Sequence, residues 1–417
     1  MAGLHTPALE VLAPAGDMER LKAAVLFGAD AVYLGGDEFG MRAGQANFSG
    51  DALTEAVRYC HERGVRVYLT VNTLPRNDEV ARLPDYLRRA EAAGVDAVIA
   101  SDIGVLSLLR EHTPNLEVHI STQAGIVNYQ TARAFHEMGA KRVVLARELS
   151  LAEVAEIREK TPRDLEIEVF VHGAMCMSFS GRCLISNYLT GRDANRGECA
   201  QPCRWNYRLV EEKRPGQYFP IGEEDGGSYL LNAKDLCMLD HIKELAEAGV
   251  TSLKIEGRAK SSYYVAVVTN AYRIAVDEYL RDPEHFVLPQ WLMDEVRKVS
   301  HRRYSTGFYY GTPDQYPENG GYLRDWDIVA VVDGNEGGDL LLTQKNRFFD
   351  GAQVEILEPG CRPFTCCLTK LRDGEGTPIE SANHPMMKLR AVCDPPGRGF
   401  RAGSIVRMES GGRGGTA

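Results

Sequence analysis

Up to Arg258 the chain repeats one block: a short apolar run rich in β-branched residues ends on polar residues or glycine, and an amphipathic stretch rich in Ala, Leu, Glu and Arg follows. The apolar runs lie in LEVLAPAGD, DAVYLGGD, VRVYLTVNT, DAVIASD, LEVHISTQAG, KRVVLARE, LEIEVFVHG and TSLKIEGR, with stretches such as MERLKAAVLFGA and VARLPDYLRRAEAAG between them. Near-continuous apolar strands alternating with helices predict a parallel sheet covered by helices. Eight of them predict an α/β fold of the (β/α)8 TIM-type barrel class, with an open doubly wound sheet as the alternative.

The pattern breaks twice. The seventh and eighth runs are separated by a Cys-rich insertion, 173–237, and a long insertion after a barrel strand belongs at the active-site end. From about Gly320 the grammar becomes that of short strands with Gly, Asp and Pro turns: DIVAVVDG, DLLLTQK, AQVEILEPG, FTCCLTKL, HPMMKLRAV and GSIVRME. That predicts a small all-β barrel. The expected organisation is therefore a barrel domain over 1–285, a helical connector with a basic and aromatic motif over 286–320, a small β-barrel over 321–408 and a disordered tail over 409–417.

In 417 residues, 44% hydrophobic and 25% charged content is that of a globular protein. No apolar run reaches the length of a membrane span, and the N-terminal stretch lacks a basic region followed by an apolar one. A cytoplasmic, reducing location is expected, which argues against a disulfide framework. The net charge of −10 excludes general coating of nucleic acid, so any RNA contact has to come from a local patch.

A TIM-type barrel does its chemistry where its strands end. Those ends offer Asp17, Gly35, Gly36, Asn72, Asp102, Thr122, Gln123, Arg147, Glu148, His172, Lys254, Glu256 and Arg258, and the loop after the second strand adds Arg42 and Asn47. A rim of arginine and amide side chains suits a small anion, because the guanidinium fork binds carboxylates bidentately. Arg42, Asn47, Gln123, Arg147 and Arg258 are the candidate substrate-binding residues, and His172, Lys254 and Glu256 the candidate catalytic ones. Structural ion pairs and caps use the same residue types. His172 lies four residues before Cys176, so the two could form a nucleophilic pair, but spacing alone does not aim an imidazole at a thiol.

The insertion holds Cys176-x6-Cys183-x15-Cys199-x3-Cys203, and Cys237 follows in NAKDLC. Zinc sites favour short paired cysteines, and only one short pair exists here; iron–sulfur clusters accept looser spacing drawn from several loops. The iron–sulfur reading leads, with zinc and a catalytic or redox thiol left open. There is no HExxH motif and no GxSxG elbow. RKVSHRRYSTGFYYG, 297–311, mixes basic and aromatic side chains of the kind that meet phosphates and stack on splayed bases. Arg302, Arg303, Tyr304 and Phe308 are its candidate RNA contacts; a solvated helix end followed by core aromatics is the competing reading.

EVFVHGAMCMSFSGRCLIS, 168–186, resembles the signature of the U32 peptidase family, and LAPAGD, AVYLGG, QANFS, NRGECAQPCRW, NAKDLC, SLKIEGR and HRRYSTGFYYG resemble its other blocks. The β-rich segment resembles that family's C-terminal domain, so the likeness covers nearly the whole chain. The family is named for a peptidase or collagenase-like activity of uncertain mechanism. Its better understood members include tRNA hydroxylation proteins, which form 5-hydroxyuridine at the wobble position from prephenate without oxygen, and an oxygen-independent ubiquinone-synthesis pair. The CRW motif and the layout resemble the tRNA branch. The resemblance implies a [4Fe–4S] cluster on Cys176, Cys183 and Cys199 with either Cys203 or Cys237 as the fourth ligand. It also implies prephenate or a related carboxylate and a tRNA anticodon loop as partners, and a paired family member. Two alternatives accompany it: a Cys- or metal-dependent peptidase, and a cluster-bearing scaffold subunit of a hydroxylase complex.

Overall fold

The computed structural model describes residues 9–40, 47–176, 185–192, 194, 198–202, 205, 208–209, 219–220, 234–313, 322–396 and 399–410. Eight parallel strands close into a barrel: β1 (Glu10–Ala15), β2 (Ala31–Gly35), β3 (Arg66–Val71), β4 (Ala97–Ala100), β5 (Glu117–Ile120), β6 (Arg142–Val144), β7 (Glu166–Ala174) and β9 (Ser252–Ile255), the last pairing with both β1 and β7. Each corresponds to one apolar run of the sequence. The strands are buried on both faces because helices cover the outside, including α1 (Met18–Leu26), α2 (Gly50–His61), α3 (Leu83–Ala92), α4 (Ile103–His112), α5 (Tyr129–Glu137), α6 (Leu151–Glu159) and α7 (Ile242–Glu247).

Side chains alternate along each strand. Val11, Val32, Leu34, Val67 and Leu69 pack into the large core shared with the helices. Their neighbours Leu12, Ala31, Tyr33, Tyr68, Ala97 and Ile99 form a separate cluster inside the barrel. That interior is not wholly apolar. At the strand starts, fully buried Arg142 bonds Glu10 and Glu166 at 2.6 Å and Glu168 at 3.0 Å. Tyr68 donates to Glu10 at 2.6 Å, and Ser252 donates to it at 2.8 Å. Burial alone would raise the Glu10 carboxyl, but the Arg142 charge and these hydrogen bonds outweigh it and bring the pKa down to about 2.

The insertion between β7 and β9 returns to the barrel as β8 (Asp235–Cys237), antiparallel to the end of β7, with Asp235, Leu236 and Cys237 opposite Ala174, Gly173 and His172. β10 (Tyr304–Ser305) extends the sheet beyond β8. α8 (Ser262–Arg281) and α9 (Gln290–Arg297) lead on to the second barrel, six antiparallel strands in closed order: β11 (Trp326–Glu336), β12 (Asp339–Gln344), β15 (Lys388–Asp394), β14 (Phe364–Asp373), β13 (Ala352–Leu357) and β16 (Ile405–Glu409). Val332, Leu342, Ile356, Leu368, Ala391 and Val406 fill it. Buried Arg407 on β16 clasps both oxygens of Glu295 on α9 at 2.6 and 2.7 Å and Glu355 at 2.6 Å, tying this barrel to the connector. The 409–417 tail beyond Ser410 lies outside the described residues.

Candidate active site at the barrel mouth

Strand ends meet closely at the mouth, and two glycines permit it. A Cβ on Gly35 would lie 2.3 Å from an Arg258 nitrogen. Gly173 has φ +105 and sits where a Cβ would come within 2.5 Å of the Glu256 carbonyl. The space at Gly35 belongs to the Arg258 guanidinium, which is buried and donates to Asn47 Oδ1 at 2.8 Å and Thr70 Oγ1 at 3.3 Å. Across the mouth, Arg147 donates to the Ala174 carbonyl at 2.8 Å and to Glu256 at 3.1 Å, and lies 3.7 Å over the Phe170 ring. Its Nε has no partner among the described residues. Gln123 sits half-buried in a short turn after β5, its Oε1 accepting from Ser121 Oγ at 3.2 Å. Arg42 lies outside the described residues.

Lys254 is one step further down. It points into the barrel, its Nζ 2.6 Å from Glu168 Oε1 and over the Tyr33 and Phe170 rings at 4.7 and 5.5 Å. The Lys254 ammonium thus lies against a carboxylate inside the barrel, just beneath the mouth. His172 is 1% exposed, with Nδ1 3.4 Å from the Tyr272 hydroxyl and Nε2 3.3 Å from the Tyr304 hydroxyl. Burial, with help from His301 and Lys260, pushes its pKa down to about 3, so the ring is neutral. No hydrogen bond joins it to Cys176 among the described residues, and Cys176 is exposed. The mouth thus gathers Asn47, Arg147, Glu256 and Arg258, with Lys254 beneath, while His172 is held in an aromatic box behind β7.

The insertion leaves the barrel at Cys176 and returns at Cys237, so β8 brings both ends of the Cys-rich segment to the end of β7. Cys199 is half-buried, and its sulfur accepts the Gln201 backbone N–H at 3.4 Å. The Ala200 N–H donates to Ser186 Oγ at 3.0 Å, fixing this segment to the short helix Ile185–Thr190. Cys237 is buried, and burial raises its thiol to about 12; a cation among the thiols is what would deprotonate it. Cys183 and Cys203 lie outside the described residues, and among the described ones no three Cys, His, Asp or Glu side chains are grouped as metal ligands. Soft sulfur donors around a loop backbone fit an iron–sulfur cluster in kind.

The motif at 297–311 divides by alternation. Buried Arg302 lies over Tyr322 at 4.8 Å, and its backbone N–H donates to Asp235. Tyr304 donates to the Val296 carbonyl and stacks on His301, and Phe308 packs against the core. Arg303 is exposed. Two features escaped sequence reasoning. Tyr310, 53% exposed, lies within hydrogen-bond distance of His241, at 3.0 Å. Lys260, two residues past Arg258, sits over Tyr322 at 4.1 Å. The position of Lys260 in a strand-end loop was the available signal.

Residues 16–319 match the family described as Peptidase family U32, and residues 324–407 match the Peptidase family U32 C-terminal domain. Among curated proteins, the chain is 39% identical to the tRNA hydroxylation protein P1 of Bacillus subtilis (strain 168), over 92% of each. It is 36% identical to the tRNA hydroxylation protein P of Escherichia coli (strain K12), over 89% of this chain and 91% of that one. It is 45% identical to an uncharacterized protease of Methanocaldococcus jannaschii, over 72% of this chain and 73% of that one.

Proposed function

The chain belongs to peptidase family U32, and from that premise we propose that it is an RNA-modifying enzyme that hydroxylates a tRNA uridine, with prephenate or a related carboxylate as the oxygen donor. The observation that carries this reading is the near full-length likeness to two tRNA hydroxylation proteins, which spans the mouth, the insertion and the small barrel together. The mouth is suited to such a donor. Arg147 and Arg258 present guanidinium groups to two carboxylates, Asn47 holds Arg258 in place, and Lys254 adds a positive charge from below. Glu256 keeps Arg147 in position until the donor's carboxylate competes for it.

Cys176, Cys183 and Cys199, with Cys203 or Cys237, are the residues to hold a [4Fe–4S] cluster. When bound, such a cluster supplies one-electron transfer, or Lewis acidity if one iron is left open. The chain's own residues bind and orient the donor beside it. Arg303 and Tyr310 are exposed near the returning strand and suit the phosphates and bases of an anticodon loop, whose unpaired uridine can be turned out towards the mouth. A second copy of a family member as partner fits the scaffold alternative. Product formation by the isolated protein with RNA and donor separates that alternative from an enzyme. The peptidase alternative needs a His172–Cys176 engine, and a neutral, boxed-in His172 does not favour it.

Nucleoside mass spectrometry of tRNA from a deletion strain, with and without the gene restored, tests the proposal. Loss of 5-hydroxyuridine and its recovery are expected; unchanged tRNA would overturn the reading. Anaerobically purified protein is expected to hold roughly four irons with matching sulfide, and Cys176→Ala or Cys199→Ala to lose most of both. Protein free of iron and sulfide after reconstitution removes the cluster.

A further inference from the structure

The segment joining β12 to β13 in the small barrel is held stiffly. The Lys345 and Asn346 N–H groups donate to the Val329 carbonyl at 2.8 and 3.2 Å, and the Asn346 side chain donates to Ile328 O at 2.7 Å. Phe348 and Phe349 pair antiparallel with Ala382 and Ser381. Gln344 exchanges backbone hydrogen bonds with Met386 and Met387, so the two strands form one ribbon. Phe348 is buried, whereas Phe349 is 53% exposed and Met386 is 60% exposed. Arg347, also exposed, lies 4.8 Å from the Phe349 ring.

Several cations of this barrel meet a carboxylate: Lys388 meets Asp333, Arg390 meets Glu336 and Arg372 meets Asp339. Arg347 has no carboxylate partner among the described residues. The ribbon also sits on the active side of the main barrel. Lys345 reaches Glu19 at 3.2 Å, in the first turn of the helix that follows the mouth end of β1. Glu19 in turn accepts from Ser262, the first residue of the helix that follows the mouth end of β9.

We infer that Arg347 and Phe349 form a docking platform for a single-stranded nucleotide of the RNA substrate, flanking the base presented to the mouth. The inference rests on the RNA reading above. An unneutralised guanidinium on a chain of net charge −10 is complementary to a phosphate. A rigid aromatic with a solvent-facing side offers a base its stacking partner without ordering cost. An apolar protein partner would gain nothing from the open charge.

The test is fluorescence anisotropy of the full-length protein with a labelled anticodon stem–loop RNA. Phe349→Ala is expected to weaken binding roughly tenfold, with Phe349→Tyr close to wild type. Arg347→Ala is expected to reduce the slope of log affinity against log salt by about one. Both positions are exposed, so unchanged melting temperatures accompany the expected result. Wild-type affinity in both Ala variants overturns the platform, leaves the RNA reading standing and assigns the patch to a protein contact. RNA binding absent from the wild type overturns the RNA reading and the platform with it.

Discussion

Arg142 opens β6 and Arg147 lies beyond its mouth end, and the barrel treats them in opposite ways. Arg142 is fully buried at the floor, where three carboxylates and Ser252 take up its donors. Among the described residues, Arg147 at the mouth is 13% exposed, meets one carboxylate, which is itself 22% exposed, and keeps an unpartnered Nε. An arginine with saturated donors in a closed site holds strands together. One with spare donors in an open site can exchange its partner for a ligand. The contrast separates a charge whose donors are taken up within the fold from one with a donor to spare.

The sharpest way to break the contrast is at the floor. Arg142→Met leaves Glu10, Glu166 and Glu168 facing one another and is expected to cost roughly 3–5 kcal/mol of stability in urea unfolding. An unfolding midpoint like that of the wild type would show that the floor charges are dispensable. Acid probes the same cluster. Glu10 titrates at about 2 in the fold against an ordinary 4.5, so its contribution of about 3 kcal/mol is complete above pH 4.5 and is lost as pH falls towards 2. The Glu10→Gln variant is expected to lose stability less steeply over that window, and an acid-unfolding profile parallel to the wild type would contradict this. At the mouth, Arg147→Gln is expected to change stability by less than about 1 kcal/mol, since partly exposed ion pairs contribute little. It should nonetheless weaken the carboxylate donor about 10–100-fold, the weight of a charged hydrogen bond.

Both barrels were legible in the sequence because β-branched runs between glycines have few other uses. The phase of those runs was harder to see. Lys254 reads as a strand-end residue, but the strand period turns it inward onto Glu168, which points inward further down β7, opposite Ser252. The same period separates Arg302 and Tyr304, which turn inward, from exposed Arg303, whereas a run of basic and aromatic residues reads as one surface. β8 is three residues long and lies in a polar stretch, so nothing local announced that NAKDLC would pair back onto β7 and bring Cys237 opposite His172. His172 is held between tyrosines distant in sequence, Tyr272 and Tyr304, that no spacing rule reveals.

The most direct measurement is a complementation pair in the deletion strain. Arg147→Gln and wild type are expressed at equal levels, tRNA nucleosides are quantified by mass spectrometry, and the melting temperature of each purified protein is recorded. 5-Hydroxyuridine is expected to fall sharply in the variant while the melting temperature holds. Full restoration of the nucleoside by Arg147→Gln would contradict it, and would move the donor site away from the barrel mouth.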